Sequence, residues 1–161
     1  MLTLEAAPGP DVTLVIDASV GLKWVLAEPD SHRARALAVS DERLLVPDVW
    51  MHEACNVVSV QGRKNVHTPA EAREGLALSR ARIEPTPTAP LGLHDVALEI
   101  GLAVGHSIYD TLYVAFAMAM GAKAVVVADR PFVRSMRAQP DPIISGLLPP
   151  LSESAATGGL A

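Results

Sequence analysis

The most constraining feature of the sequence is a pair of short, β-branched apolar runs, each followed at once by an aspartate. Residues 12–16 read VTLVI before Asp17, and residues 124–128 read AVVVA before Asp129. Runs of this length and composition are typical of strands buried on both faces, which occur in parallel sheets covered by helices. Because the carboxyl ends of parallel strands share one edge of the sheet, both aspartates are expected at that edge.

The segments between these runs have helical spacing, so strands and helices alternate along the chain. Helices are predicted at 19–27, 30–40, 48–61, 91–104, 109–120 and 130–138, and another begins at the capping sequence Thr68-Pro69-Ala70-Glu71. Residues 44–46 form a short predicted strand, 84–90 a loop or edge strand, and 143–144 are the candidate for a last strand. The pattern predicts one α/β domain at 12–150, with a mostly parallel central sheet flanked by helices. Residues 1–11 are expected to be a flexible leader and 151–161 a flexible tail.

Composition excludes several classes of protein. Half of the 161 residues are hydrophobic, which argues against disorder, yet no uncharged apolar run is long enough to span a membrane. Cys55 is the only cysteine, so an internal disulfide and a cysteine-based zinc cluster are excluded, and a reducing cytoplasm is the expected location. The net charge of −5 argues weakly against nucleic-acid binding, unless acids converge on cations; two divalent ions on four carboxylates would leave −1.

Two more acidic residues can reach the edge that carries Asp17 and Asp129. Asp110 lies near the start of the apolar segment HSIYDTLYVAFAMAMG, and Glu53 lies about one turn into the helix after Pro47-Asp48. Each acid also has a purely structural explanation, because aspartates suit helix N-termini and a helical glutamate is usually solvated. Those explanations do not account for four acids predicted at one edge, where mutual repulsion is tolerable only with cations present.

A cluster of carboxylates points to a hard metal ion and to phosphate chemistry. All-oxygen ligation favours Mg²⁺ or Mn²⁺ over zinc. Such an ion can activate water and stabilise a leaving oxygen, so phosphodiester hydrolysis is the expected reaction class. A phosphoryl-group enzyme or receiver domain is a weaker hypothesis, since Asp17-Ala18-Ser19 lacks the D-x-D pair of a phosphatase. The G-x-G-x-x-G motif of a dinucleotide binder is also absent from the sequence.

The motifs around the four acids resemble those of the PIN-domain nucleases, and especially the VapC toxins of bacterial toxin–antitoxin pairs. They read VIDASV, PDVWMHEACNVV, HSIYDTLYVAFAMAMG and VVVADRPF, in the family's order, and span residues 13 to about 135. The resemblance implies a Mg²⁺- or Mn²⁺-dependent endoribonuclease whose metal-binding and catalytic acids are Asp17, Glu53, Asp110 and Asp129. It also implies a homodimer, and a cognate antitoxin whose C-terminal segment lies across the active-site groove.

Supporting residues follow from the same resemblance. Ser19 and Asn56 are expected to donate or accept hydrogen bonds around the acids. Val127 departs from the family, which often has a hydroxyl residue two positions before the fourth acid, and Ser107 or Thr111 could substitute for it. The main alternative is a PIN-like domain that binds RNA or a partner protein without cutting, its acids retained around an imperfect metal site.

Two further sets of residues have both a functional and a structural interpretation. Arg130, Arg134 and Arg137 form one stripe on the helix after Asp129, and they either contact RNA phosphates or belong to a solvated helix face. Bulky groups near the predicted groove either pack in the core or anchor a partner; they are Trp24, Trp50 and Met51.

Overall fold

A computed structural model describes residues 12–147 of the chain, so the predicted leader at 1–11 and tail at 151–161 lie outside the described residues. Its elements, in chain order, are β1 (Thr13–Ile16), α1 (Ala18–Gly21), a 3₁₀ turn (Leu22–Trp24), α2 (Ser31–Ala38), β2 (Arg43–Pro47), α3 (Val49–Arg63), α4 (Pro69–Arg82), β3 (Glu84–Thr86), a second 3₁₀ turn (Ala89–Leu91), α5 (His94–Val104), α6 (Ile108–Met120), β4 (Ala124–Val126), α7 (Arg130–Arg137) and α8 (Pro142–Gly146). The predicted α/β class is confirmed.

The four described strands form one sheet in the order β3-β2-β1-β4, and every pairing in it is parallel. The chain builds outwards from β1 through β2 to β3, and then returns to place β4 on the other side of β1. The strand order therefore reverses between β1 and β4. In open α/β sheets the crevice beyond the carboxyl ends of strands at such a reversal is the usual ligand site.

The core lies where the helices cover the sheet. Val15, Ile16, Leu45 and Val126 are completely buried in the strands, as expected for a parallel sheet with both faces covered. Seven consecutive residues of α6, from Thr111 to Ala117, are buried, which explains the apolar character of that segment.

The two tryptophans belong to the core. Trp50 is fully buried and Trp24 is 9% exposed, whereas Met51 is only partly buried against the core. A side chain at Gly21 would place its Cβ 2.7 Å from the Trp50 ring, so α1 packs directly on the indole. For Trp24 and Trp50, packing in the core accounts for the residue without a partner protein.

Most predicted boundaries agree with the structure to within a few residues, and one prediction is wrong. Residues 143–144 are not a strand but lie in α8, because Asp141 caps the helix by accepting a hydrogen bond from Ile143 N at 2.8 Å, with Pro142 at the first helical position. The carbonyl of Leu147 then accepts from Val125 N at 2.6 Å, so the segment after α8 lies along the outer edge of β4.

The helix predicted at 19–27 is also shorter and less regular than expected. It divides into α1 and a 3₁₀ turn, after which Arg35 Nε donates to Trp24 O at 3.1 Å. In contrast, the capping box predicted at Thr68 is confirmed, since Thr68 and Glu71 exchange the expected hydrogen bonds. Within residues 12–147, no helix is long and apolar enough to cross a membrane.

Candidate active site

Asp17 lies at the end of the central strand β1, at the point where the strand order reverses. Its backbone N–H continues the sheet by donating to Val126 O of β4 at 3.1 Å. Its side chain caps α1 by accepting from Ser19 N at 2.7 Å, and the residue is 9% exposed. The buried Asp17 carboxylate therefore caps α1 and also lies at the sheet edge, and its hydrogen bond holds it in one orientation.

Asp129 lies at the same edge, three residues after the end of β4. Its carboxylate caps α7 by accepting from Phe132 N at 3.0 Å. The Ser19 hydroxyl accepts from Ala128 N at 3.2 Å, and so links the loop after β1 to the loop after β4. Ser19 thus fixes both aspartates, one through its backbone and the other through the neighbouring peptide.

Asp110 enters the site from the first turn of α6. Ser107 is the N-cap of this helix, with its hydroxyl 3.4 Å from Asp110 N. His106 lies beside this turn, where its ring meets Phe132 edge-on at a centroid distance of 4.9 Å and its Nε2 is 3.2 Å from the Ser135 hydroxyl. The start of α6 is therefore packed against α7, the helix that Asp129 caps.

Glu53 reaches the cluster from α3 through a contact that the sequence analysis missed. The buried hydroxyl of Tyr113, on α6, donates a hydrogen bond to Glu53 Oε2. Tyr113 lies three residues after Asp110, and therefore on the same side of α6. A tyrosine buried in an apolar helix needs a partner for its hydroxyl, and this was the available signal.

Burial and neighbouring negative charges raise the pKa values of Asp17, Glu53 and Asp110. Burial raises the pKa of Asp17 to about 6 against the Ser19 hydrogen bonds that lower it, and the charges of Asp110 and Asp129 raise it further. Burial also raises the pKa of Glu53 to about 7, with added repulsion from Asp17 and Asp110. The pKa of Asp110 is raised by burial and by Asp129, against Ser107 and His106, which lower it. Asp17 and Asp110 thus lie within electrostatic reach of each other and of both Glu53 and Asp129.

Tyr113 remains protonated in this environment. Burial, followed by the negative charges of Asp17 and Glu53, raises the pKa of its hydroxyl far above the usual range. The hydroxyl is therefore a hydrogen-bond donor at any physiological pH, and it orients Glu53.

The other predicted site residues are placed at the periphery. Asn56 is exposed on α3, one turn beyond Glu53. Arg130, Arg134 and Arg137 are exposed on α7, and Arg130 forms a 3.5 Å ion pair with Asp30 at the start of α2. The stripe begins directly after Asp129, so it borders the acidic cluster.

Val127 is buried, and the hydroxyl expected near it comes from another residue. Thr111 is committed elsewhere, since it is fully buried and donates to Ala97 O of α5 at 2.6 Å. Ser107 caps α6 and supports Asp110. The hydroxyl bound next to Asp129 is that of Ser19, at Ala128 N.

The chemistry of the cluster suits a hard divalent cation. It offers only carboxylate oxygens, and no basic residue contributes to the pKa shift of Asp17 or Glu53 in the described part of the chain. As the side chains are placed, however, no group of three or more His, Cys, Asp or Glu within residues 12–147 is arranged to hold a metal ion. The chemical type of these oxygen donors fits a divalent cation, but the carboxylates would have to move closer together to bind one.

The fold and the site define an α/β protein with an acidic cluster at the strand-order reversal of a parallel sheet. The PIN domain family model matches residues 14–135, which is most of the chain. The chain belongs to the PIN domain family, as its motifs predicted. A search of curated proteins gave no match.

Three solved structures share the fold. PAE2754 from Pyrobaculum aerophilum has a TM-score of 0.63 at 19% identity, covering 92% of this chain and 91% of its own. VapBC2 from Rickettsia felis, bound to a DNA fragment from its promoter, has a TM-score of 0.61 at 14% identity, covering 86% and 98%. VapC20 from Mycobacterium tuberculosis, a toxin that cleaves the sarcin–ricin loop, has a TM-score of 0.58 at 15% identity, covering 76% and 94%. At these identities the similarity establishes the fold.

Proposed function

We propose that this protein is a Mg²⁺- or Mn²⁺-dependent endoribonuclease and the toxin of a toxin–antitoxin pair. The observation that supports the proposal is the electrostatic coupling of Asp17 and Asp110 with each other, with Glu53 and with Asp129, at the strand-order reversal of a PIN domain. The similarity to VapC20, a toxin that cleaves the sarcin–ricin loop, and to the VapBC2 complex supports the choice of substrate and biological setting.

In this proposal the four acids hold the cation and the surrounding residues hold the acids. Asp17 and Asp129 are fixed by their helix caps, and Ser19 keeps the two loops at a constant separation. Tyr113 orients Glu53, and Ser107 begins the helix that presents Asp110. When bound, a divalent ion supplies a more acidic water and neutralises charge on the phosphodiester. Arg130, Arg134 and Arg137 are the candidates for contacts to flanking phosphates.

The partners proposed for the protein are a cognate antitoxin and a second copy of the chain. The VapBC2 neighbour is a complex with promoter DNA, which supports an antitoxin of the same kind here. Cytoplasmic location follows from the proposed role. If a small reading frame lies directly upstream, its co-expression should relieve growth inhibition by this chain, and size-exclusion chromatography should then show both proteins in one complex.

Metal-dependent cleavage of RNA is the test of the enzymatic proposal. Purified protein is incubated with structured RNA in Mg²⁺, in Mn²⁺ and in EDTA, beside the variants Asp17→Asn and Asp41→Asn. Asp41 is an exposed acid before β2, so its variant controls for the loss of one charge. The proposal is supported if the wild type and Asp41→Asn cleave the RNA with Mg²⁺ or Mn²⁺ but not in EDTA, and if Asp17→Asn does not cleave it under any of these conditions.

A second function has one specific observation in its favour. The side chains, as placed in the described residues, do not form a ready metal-binding group, and this suits a PIN-like domain that binds RNA or a protein without cutting. Calorimetric titration with Mn²⁺ separates the two functions. Tight RNA binding without metal uptake or scission would replace the first proposal by the second.

A further inference from the structure

A separate pocket lies at the same edge of the sheet, beyond the ends of β2 and β3. Its volume is about 340 Å³, within the range of pockets that accept small ligands. Asp48 follows β2 directly, and Thr88 lies two residues after β3. The remaining walls come from the starts of three helices, with His52 on α3, His94 on α5, and Ile108 and Tyr109 on α6.

The pocket and the acidic cluster share two of their walls. His52 precedes Glu53 on α3, and Tyr109 precedes Asp110 on α6. Successive residues of an α-helix point about 100° apart, so one helix serves both sites from neighbouring faces. The pocket therefore adjoins the acidic cluster along this edge of the sheet.

The exposed groups in the pocket are flat and aromatic. The Tyr109 side chain is 59% exposed although tyrosine usually buries its ring, and both His52 and His94 are exposed. Tyrosine and imidazole rings stack on nucleobases, and Ile108 adds an apolar surface that is 37% exposed. These groups suit a planar heterocycle better than a phosphate, because none of the described residues that line the pocket is Lys or Arg.

One acceptor at the end of β2 can read the edge of such a heterocycle. Asp48 Oδ1 accepts from the buried Thr88 hydroxyl at 2.6 Å, which fixes the carboxylate and lowers its pKa. A carboxylate has about four lone-pair sites, so Asp48 can accept further N–H donors. Guanine alone among the RNA bases presents two adjacent N–H donors, N1–H and the 2-amino group, on one edge.

We propose that this pocket binds one unpaired nucleobase of the RNA substrate, with guanine preferred, beside the phosphodiester that the acids address. The inference rests on the proposed ribonuclease function and adds the determinant of its base preference. Tyr109 stacks on the base, and Asp48 accepts its N–H donors.

The experiment uses the full chain and a randomised pool of single-stranded RNA in Mn²⁺, and the ends of the products are sequenced. The wild type should enrich guanine at one fixed position near the cut. Tyr109→Ala should lose this enrichment and raise KM about tenfold, the effect typical of losing one base–aromatic stack, while Tyr109→Phe retains both. Asp48→Asn keeps an acceptor for Thr88 and should reduce the guanine preference alone. His32→Ala, an exposed histidine on α2, is the control.

The failure of the pocket and the failure of the nuclease proposal have different signatures. Cleavage in which Tyr109→Ala and Asp48→Asn give the wild-type base distribution and KM would overturn the pocket and leave the nuclease intact. A titration with guanosine monophosphate and uridine monophosphate, followed by amide NMR shifts at Asp48 and Tyr109, does not depend on cleavage. Shifts with the guanine nucleotide support the pocket even in a protein that does not cut; their absence counts against it.

Discussion

Acidic residues occur in two contrasting settings in the described part of this protein. Glu28 accepts a hydrogen bond from Lys23 at 2.9 Å, and Glu84 receives two from Arg43 at 2.9 and 2.6 Å. Arg43 lowers the pKa of Glu84, whereas burial and like charges raise the pKa of Asp17 and Glu53. The chain thus supplies cationic partners for some of its acids and, at the strand-order reversal, places acids against one another.

The difference indicates which acids serve stability and which do not. Exposed ion pairs contribute little to folding, so pairs such as Arg43–Glu84 are close to neutral. Buried carboxylates that repel one another lower the stability of the folded state. The cluster is therefore a feature that folding alone does not favour, and an external cation is the partner that we propose for it.

The largest expected effect is the loss of RNA cleavage when one acid of the cluster is neutralised. Glu53→Gln keeps the size of the side chain and its hydrogen bond with Tyr113 but removes one charge from the proposed metal site. Cleavage in Mg²⁺ should fall at least about a hundredfold, the upper end of the losses seen when residues that merely support a ligand are changed. Glu74→Gln, on the exposed surface of α4, is the matched control and should cleave normally.

The variant Asp17→Asn is expected to lose activity but to gain folding stability. The pKa of Asp17 is about 6 in the fold and 3.8 otherwise, so the folded state binds the extra proton and its stability falls as pH rises from about 4 to 7. Asp17→Asn removes this penalty of up to about 3 kcal/mol. In EDTA, urea unfolding should show the variant more stable than the wild type near pH 7.5.

The pH dependence of that difference is the check on its cause. Near pH 4 the Asp17 carboxyl is protonated in the folded state, so the advantage of Asp17→Asn should shrink towards zero. An advantage of equal size at both pH values would mean that packing, not charge, explains the change.

A smaller effect is expected at Tyr113, which acts through Glu53. Tyr113→Phe removes the hydroxyl and leaves the buried ring, so the Glu53 carboxylate loses its orienting donor. Affinity for Mn²⁺, measured by calorimetry, should fall about tenfold, as is typical when the partner of a ligand is removed. Circular dichroism should be unchanged; an unchanged Mn²⁺ affinity would show that Tyr113 serves packing only.

The smallest effect is expected at the exposed ion pair. Arg43→Ala breaks both hydrogen bonds to Glu84, but both groups are exposed and well solvated. The Tm and the rate of RNA cleavage should both stay within experimental error of the wild type. A clear drop in Tm would erase the contrast drawn between paired and clustered acids.

The features that the sequence predicted best are those set by local chemistry. The buried strands followed by Asp17 and Asp129, the capping box at Thr68 and the start of α6 each depend on residues within a few positions. The strand predicted at 143–144 was wrong because two isoleucines outweighed the Asp141-Pro142 helix start beside them. A short apolar pair does not distinguish a strand from a helix.

The features that could not be predicted depend on contacts between distant segments. Tyr113 and Glu53 are 60 residues apart, and Ser19 and Ala128 are 109 apart, so neither hydrogen bond has a local signature. The placement of two acids at strand ends followed from topology, whereas the bonds that orient them required the packed helices. The charge and the approximate position of these acids could therefore be predicted from the sequence, but the orientation of their side chains could not.

The hydrogen bond from Val125 to the Leu147 carbonyl has a consequence for how the molecule behaves in crowded solution. Among the described strands β4 ends the sheet on one side, and an open row of amides on an apolar edge strand can pair with strands from other copies and start aggregation. Helix α8 (Pro142–Gly146) positions the following Leu147 carbonyl where such a strand would attach. Truncation at Pro140 would remove the Leu147 carbonyl and leave the edge of β4 free to pair with strands of other copies.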